Sequence, residues 1–200
     1  GIVHSERTPD SHRKHGQVMH GLQTWVALPR DEEDCAPAFI HHPAHTLPAF
    51  RVGDVRVKVL AGSAWKHTSP VSFPWPILYV ALETDSDADI ILPAEMAIER
   101  ALYVVTGGAQ IDDAMVTEGR MAVLGSNTDV TVKLAAGTKA MICGGAPMDS
   151  PRKMDWNFVS SDSAKIEQAK FDWTAAMEAG GSARFPLVPG DEEEWIPIPS

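Results

Sequence analysis

Two residues near the start of the chain have the types and spacing for metal or proton chemistry. In Gly1-Ile2-Val3-His4-Ser5-Glu6, a strand would turn His4 and Glu6 to one side and Ser5 to the other, because strand side chains alternate between faces. An imidazole beside a carboxylate suits a borderline or hard divalent metal. The same pair suits a general base with an orienting partner. A solvated surface strand shows this spacing too, so the spacing alone leaves these readings open.

The other candidate groups are weaker. His12, His15 and His20 fall on or beside a polar, basic stretch from Arg7 to Gln17 that reads as a loop. His41, His42 and His45 are close together, and short His-rich tracts can bind metal. Adjacent His41 and His42 would nevertheless point to opposite sides of a strand, and a surface role is expected for the group. Cys35 and Cys143 are far apart and form no C-x-x-C pair, so a reduced, cytoplasmic setting is expected rather than a disulfide framework. The six tryptophans are dispersed along the chain, which gives no stacking platform for bases. No Walker loop, G-x-S-x-G or G-x-G-x-x-G occurs.

The elements that must position these groups are mainly short strands. Leu22, Thr24 and Val26 alternate with Gln23, Trp25 and Ala27, and Val55, Val57 and Val59 alternate with Arg56, Lys58 and Leu60. Further strand signals are Ile77 to Leu82, Leu102 to Val105, Met121 to Leu124, Val130 to Leu134, and Met141-Ile142. Gly107-Gly108 reads as a hairpin turn, and Asp31 to Asp34 as a solvated connection between domains. Repeated short strands with turns between them predict a sandwich or barrel. One helix is expected near the end, capped by Ser161 or Ser163. Ile166, Ala169, Trp173 and Met177 would fall near one face, with Gly180-Gly181 closing it. The acidic run from Asp191 to Glu194 and the Pro-rich end read as an irregular surface tail.

Composition narrows the function classes. The chain of 200 residues has 44% hydrophobic residues, 15 Gly and 15 Pro, and a formal net charge of −10. That charge argues against nucleic acid and against an anionic membrane as direct partners. No run of apolar residues reaches the length of a transmembrane helix.

The opening Gly1-Ile2-Val3-His4-Ser5-Glu6 is followed by His20-Gly21-Leu22-Gln23-Thr24-Trp25-Val26-Ala27-Leu28-Pro29, Pro37-Ala38-Phe39, Ser69-Pro70-Val71 and Gly144-Gly145-Ala146-Pro147. This ordered set resembles the pirin family of the cupin superfamily over essentially the whole chain. The resemblance implies an all-β fold built on the cupin double-stranded β-helix, with a partial first cupin and a C-terminal helix. It implies three segments: residues 1–34 as the last strands of the first cupin, 35–150 as a second cupin, and 151–200 as a helix and tail packing back toward the first. In the family, a His-x-His pair and the His and Glu of the H-S-E segment hold one metal in the first barrel. Here His4 and Glu6 match the second pair, and the expected place of the first lies before Gly1.

The metal implied is one divalent transition ion, iron first, with nickel, manganese, zinc, copper or cobalt as alternatives, bound weakly or not at all by this chain. In the second cupin the corresponding stretch, Met96 to Gly108, has Glu95, Glu99 and Tyr103 in or beside it but no His, so no metal is expected there. The function implied is that of a quercetin 2,3-dioxygenase-like oxidoreductase in the full-length form, with Glu6 as general base on a flavonol-like substrate. The alternative is a non-enzymatic, metal-dependent co-regulator that binds a protein partner. Strand edges exposed in an incomplete first barrel would also favour self-association.

Overall fold

The computed structural model describes residues 2–199 and shows two compact units: the first combines Gly1–Phe39 with Asp149–Ser200, and the second is Ile40–Met148. Gly1 and Ser200, which begin the H-S-E segment and end the tail, lie outside the described residues.

The unit Ile40–Met148 holds twelve strands in chain order: β1 (Ala49–Val52), β2 (Val55–Ala61), β3 (Ser63–Ala64), β4 (His67–Thr68), β5 (Ile77–Glu83), β6 (Ala88–Leu92), β7 (Glu99–Thr106), β8 (Gly108–Ile111), β9 (Ala114–Thr117), β10 (Met121–Leu124), β11 (Val130–Leu134) and β12 (Lys139–Gly145). A six-stranded sheet runs β1-β2-β5-β12-β7-β10 and a four-stranded sheet runs β6-β11-β8-β9. Every pairing within them is antiparallel.

Alternation decides the faces. Val55, Val57 and Val59 of β2, Leu78, Val80 and Leu82 of β5, and Leu102 and Val104 of β7 are buried, while their strand neighbours are more exposed. They meet Ile90 and Leu92 of β6 and Val132 and Leu134 of β11 in one apolar cluster. Each such side chain contributes ~1.5–3 kcal/mol when fully removed from water. The expected all-β fold is therefore present as two sheets packed on a shared core, and the sheets are not closed into a continuous barrel.

Gly107-Gly108 is not a hairpin turn. β7 pairs with β10 and β12, whereas β8 pairs with β9 and β11. The two glycines mark the corner where the chain leaves one sheet for the other. The tight turn lies further on, at Asp112-Asp113 between β8 and β9, with Asp112 at φ +50°.

In the other unit, the expected strands at His4–Glu6 and Leu22–Ala27 do not form. Residues 2–9 and 16–29 have no regular structure, and among the described residues no β-ladder includes them. A strand needs a neighbour to take up its backbone groups, and alternation of side chains cannot supply one. The stretch Arg7 to Gln17, read as a loop, contains a short helix, α1 (Asp10–His15), between Pro9 and Gly16. A small hairpin of β13 (Lys153–Asp155) and β14 (Phe158–Ser160) precedes α2 (Ser163–Ala179).

Asp162, rather than either serine, caps α2 by accepting from the Ala164 N–H, and Gly180 ends it in the left-handed conformation at φ +70°. Ile166, Ala169 and Ala176 are its buried residues. Trp173 contacts Trp156, Phe185 and Trp195 with ring centroids 5.5, 5.2 and 4.8 Å apart. The acidic tail is irregular but anchored. Arg7 Nε donates to Asp191 at 2.9 Å, and its guanidinium lies 3.0 Å from Glu194.

Glu33 corrects the reading of residues 31–34 as a solvated run. Its side chain and that of Arg152 are each only 8% exposed, and they pair at 2.8 Å. The Glu33 carboxylate also accepts from the Ser161 N–H and from the Ser160 and Ser161 hydroxyls at 2.7–3.0 Å. Arg152 further donates to the Leu28 carbonyl, to the carbonyl and hydroxyl of Ser150, and to Asp149, whose other oxygen accepts from the Arg30 N–H. This network fastens residues 28–33, which follow the His4 and Gln23 segments, to the hairpin and helix.

Two stability predictions follow from these packing facts. Gly62, between β2 and β3, has φ +77°, and a Cβ there would lie 2.1 Å from the Ile77 carbonyl oxygen. Gly62→Ala should lower stability by about 3 kcal/mol. Gly53→Ala, at φ +57° with nothing within 4 Å of its Cβ, should cost about 1 kcal/mol. Denaturant midpoints of the two variants check the contrast.

For Glu33, burial alone would raise the carboxyl pKa, but the Ser161 N–H, the Ser160 and Ser161 hydroxyls and Arg152 outweigh it and hold the carboxyl below its ordinary 4.5. Its stabilisation is then full above 4.5 and is lost as pH falls through the lower folded-state value. Glu33→Gln should cost about 2 kcal/mol at neutral pH by removing one of the two carboxylates that face Arg152 and the charged acceptor of the Ser160 and Ser161 bonds. It should also flatten the acid side of the stability profile, measured by urea unfolding across pH.

Candidate functional site

The segment carrying His4 and Glu6 is exposed. One contact ties it to the second motif of the sequence: the Gln23 amide donates to Glu6 Oε1 at 3.1 Å. The H-S-E and H-G-L-Q segments therefore meet at Glu6.

A transition-metal site normally uses three or four protein donors. His4 and Glu6 supply two. Among the described residues, no group of three or more His, Cys, Asp and Glu is gathered closely enough to hold a metal. The donors present therefore do not make a complete metal site.

The remaining histidines have other settings. His15 lies on α1 with Nδ1 2.8 Å from the Ser11 carbonyl, and His12 and His20 are exposed. His41 and His45 are exposed and His42 is half-buried. His67, not singled out by the sequence, stacks on Phe50 with centroids 3.9 Å apart. Cys35 and Cys143 are both free thiols. Cys143 stands between Tyr79 and Ala101 on the sheet, and burial pushes its thiol pKa up, away from the reactive thiolate.

Strand β7 is informative about the interior of the second unit. Glu99, Ala101 and Tyr103 alternate with the buried Arg100, Leu102 and Val104, so neither Glu99 nor Tyr103 shares the inward face. Glu95 sits in a short turn before the strand. The polar group on the inward face is Arg100, 2% exposed. Its Nη1 donates to the Leu92 and Pro93 carbonyls at 3.0 and 2.7 Å, and its Nη2 to Gly125 and Thr128 at 3.0 and 2.6 Å. Its Nε is buried without a hydrogen-bond partner among the described residues. The sequence reading missed this residue, although period-two counting back from Leu102 and Val104 places an arginine on the apolar face.

Two concave regions among the described residues bear on function. One, of about 380 Å³, lies beside the start of α2 and is lined by Arg30, Lys153 and Lys165 together with Glu33 and Asp162. Lys165 is paired with Asp34 at 2.5 Å and Lys153 donates to Ser163 at 2.9 Å. The other, of about 800 Å³, lies in the unit Ile40–Met148 at the ends of β8 to β11. Among the described residues no helix is long and apolar enough to cross a membrane.

Comparison with known proteins agrees with this architecture. Residues 79–179 match the Pirin C-terminal cupin domain. The whole chain is similar to a pirin-like protein of Caulobacter vibrioides, at 39% identity and covering 66% of that protein. A Pseudomonas aeruginosa protein with a provisional quercetin 2,3-dioxygenase name is 30% identical over 92% of the chain, which covers 56% of it. A crystal structure of quercetin 2,3-dioxygenase from Acinetobacter baumannii superposes with a TM-score of 0.78 at 25% identity, over 88% of this chain and 57% of that one. The chain thus spans between about half and two thirds of the length of these relatives. With the domain match covering half of its residues and a two-sheet core of the same kind beneath it, the chain belongs to the pirin family.

Proposed function

We propose that the protein carrying this chain is a metal-dependent oxygenase of the quercetin 2,3-dioxygenase type, acting on a flavonol-like aromatic substrate. The observation that carries the reading is the likeness to the Acinetobacter baumannii quercetin 2,3-dioxygenase over 88% of the chain. The meeting of Glu6 with Gln23 supports it, because a base or ligand carboxylate works best when its orientation is fixed.

In this reading His4 and Glu6 contribute two donors, and further donors come from outside the groups gathered in the described residues. When bound, the metal would supply Lewis-acid and oxygen chemistry. What the chain itself offers is an imidazole, a carboxylate and the amide that restrains it. Two donors leave a divalent ion mostly hydrated, so the 200-residue chain alone is impaired.

The test is metal content after desalting, together with quercetin consumption under oxygen. The isolated chain, exposed to Fe²⁺ or Ni²⁺, should retain well under one ion per molecule and consume quercetin no faster than the free metal does. The protein expressed with its natural flanking sequence should hold metal and turn over quercetin. His4→Ala and Glu6→Gln should each lower that rate by about 100-fold or more. Metal-loaded protein that leaves quercetin intact, or variants with full turnover, would overturn the assignment. A stable protein partner recovered from that inactive form would favour the co-regulator.

A further inference from the structure

The larger cavity has a feature that neither the family nor the His4–Glu6 pair accounts for. It lies at the seam of the two sheets. β9 and β10 follow each other in the chain, yet β9 is the last strand of the four-stranded sheet and β10 the last strand of the six-stranded one. The chain crosses between sheets here without closing them, and an open groove of about 800 Å³, lined largely by exposed residues, lies at the crossing. That is within the range of small-molecule sites, about 300–1,000 Å³.

The walls come from both sheets. Ile111 and Val116 belong to the four-stranded side, and Ala122 and Leu124 to the six-stranded side. Val116 and Leu124 are buried at 6% and 8% exposure, so the floor is apolar.

The charge on the lining is of one sign. Asp112, Asp113 and Asp129 line it, and no Lys, Arg or His does. Asp129 Oδ1 accepts from the Ala94 N–H at 2.8 Å, which fixes that carboxylate in place. Arg100 reaches two of the lining residues from the core. Its four donor contacts go to main-chain carbonyls, including those of the lining residues Gly125 and Thr128. It therefore braces the loop between β10 and β11 rather than neutralising the aspartates.

We infer that this seam is a binding site for a small organic cation with an apolar body, such as an aromatic amine. The apolar floor takes the body, and the aspartates favour the positive end. An anionic aromatic would meet the same floor with its charge opposed. The site lies within Ile40–Met148 and involves neither His4 nor Glu6, so its failure and that of the oxygenase reading are separate results.

The probes are 1-naphthylmethylamine, cationic at neutral pH, 1-naphthoate as the anionic counterpart of similar shape, and a lysine-rich peptide. Each is titrated into the chain and followed by naphthyl fluorescence and by backbone amide NMR. The amine should saturate, shift amide signals within residues 111–131, and bind at least tenfold more tightly than naphthoate. The double variant Asp112→Asn/Asp113→Asn should weaken the amine by roughly five- to tenfold. Val123→Lys, at a lining position whose side chain is 85% exposed and so free of the core, should weaken it similarly while preserving the NMR spectrum elsewhere. Equal binding of amine and naphthoate, no saturation, shifts outside the seam, or indifference to these substitutions would overturn the inference. Binding of the peptide with no response to the amine would also overturn it, in favour of a polypeptide ligand.

Discussion

The buried pair of Glu33 and Arg152 is the interaction on which the unit built from the two chain ends depends. That unit has few buried apolar residues, namely Pro29 and Ile166, Ala169 and Ala176 of α2 among the described residues. The aromatic cluster around Trp173 is only partly removed from water. With a thin core, the geometry of the N-terminal segment is set by directed bonds. Arg152 reaches the Leu28 carbonyl, Glu33 reaches Ser160 and Ser161, and Asp149 takes the Arg30 N–H. Buried charges of this kind add little net stability over an apolar replacement. They specify one arrangement, because each donor has its acceptor and a shifted register would strand several at once.

The unit Ile40–Met148 is organised the opposite way. Its core residues touch across two sheets, and the buried charge among the described residues there is Arg100, spread over four carbonyls instead of one carboxylate. The guanidinium joins the loop after β6 to the loop after β10, so the end of the unit where the sheets part is held by hydrogen bonds rather than by sheet pairing. The opening there is wide because the neighbouring strands in sequence belong to different sheets.

Much of the second unit was legible from residue order. Val55 to Val59, Ile77 to Leu82, Leu102 to Val105, Met121 to Leu124 and Val130 to Leu134 all lie in strands, because period-two alternation and short apolar runs bounded by turn residues are local signals. The strands β6, β8 and β9 and the hairpin β13–β14 were not legible. Small and polar residues such as Asp89, Gly108, Gln110, Ala114 and Thr117 break the apolar pattern of β6, β8 and β9, and the last hairpin turns at Trp156, whose φ of +51° is unusual for so large a residue and gives no turn signal. The alternation of Leu22 to Ala27 misled for a different reason, since it records which faces would be buried but not whether a partner strand exists. At the candidate site, His4 and Glu6 were legible as types and spacing. Gln23 as the partner of Glu6, and Arg152 as the partner of Glu33, come from residues 17 and 119 positions away and have no trace in local order.

The second unit is a single stretch of chain, whereas the first is assembled from Gly1–Phe39 and Asp149–Ser200. On the ribosome, residues 40–148 can reach their native contacts as soon as β12 emerges. The Glu33 carboxylate must wait for Arg152 and Ser161, more than a hundred residues later in synthesis. Closing so long a loop is slow relative to local pairing. The nascent chain thus carries a folded middle flanked by an N-terminal arm still awaiting its mate, and it is during that interval that chaperones or proteases have access to the arm.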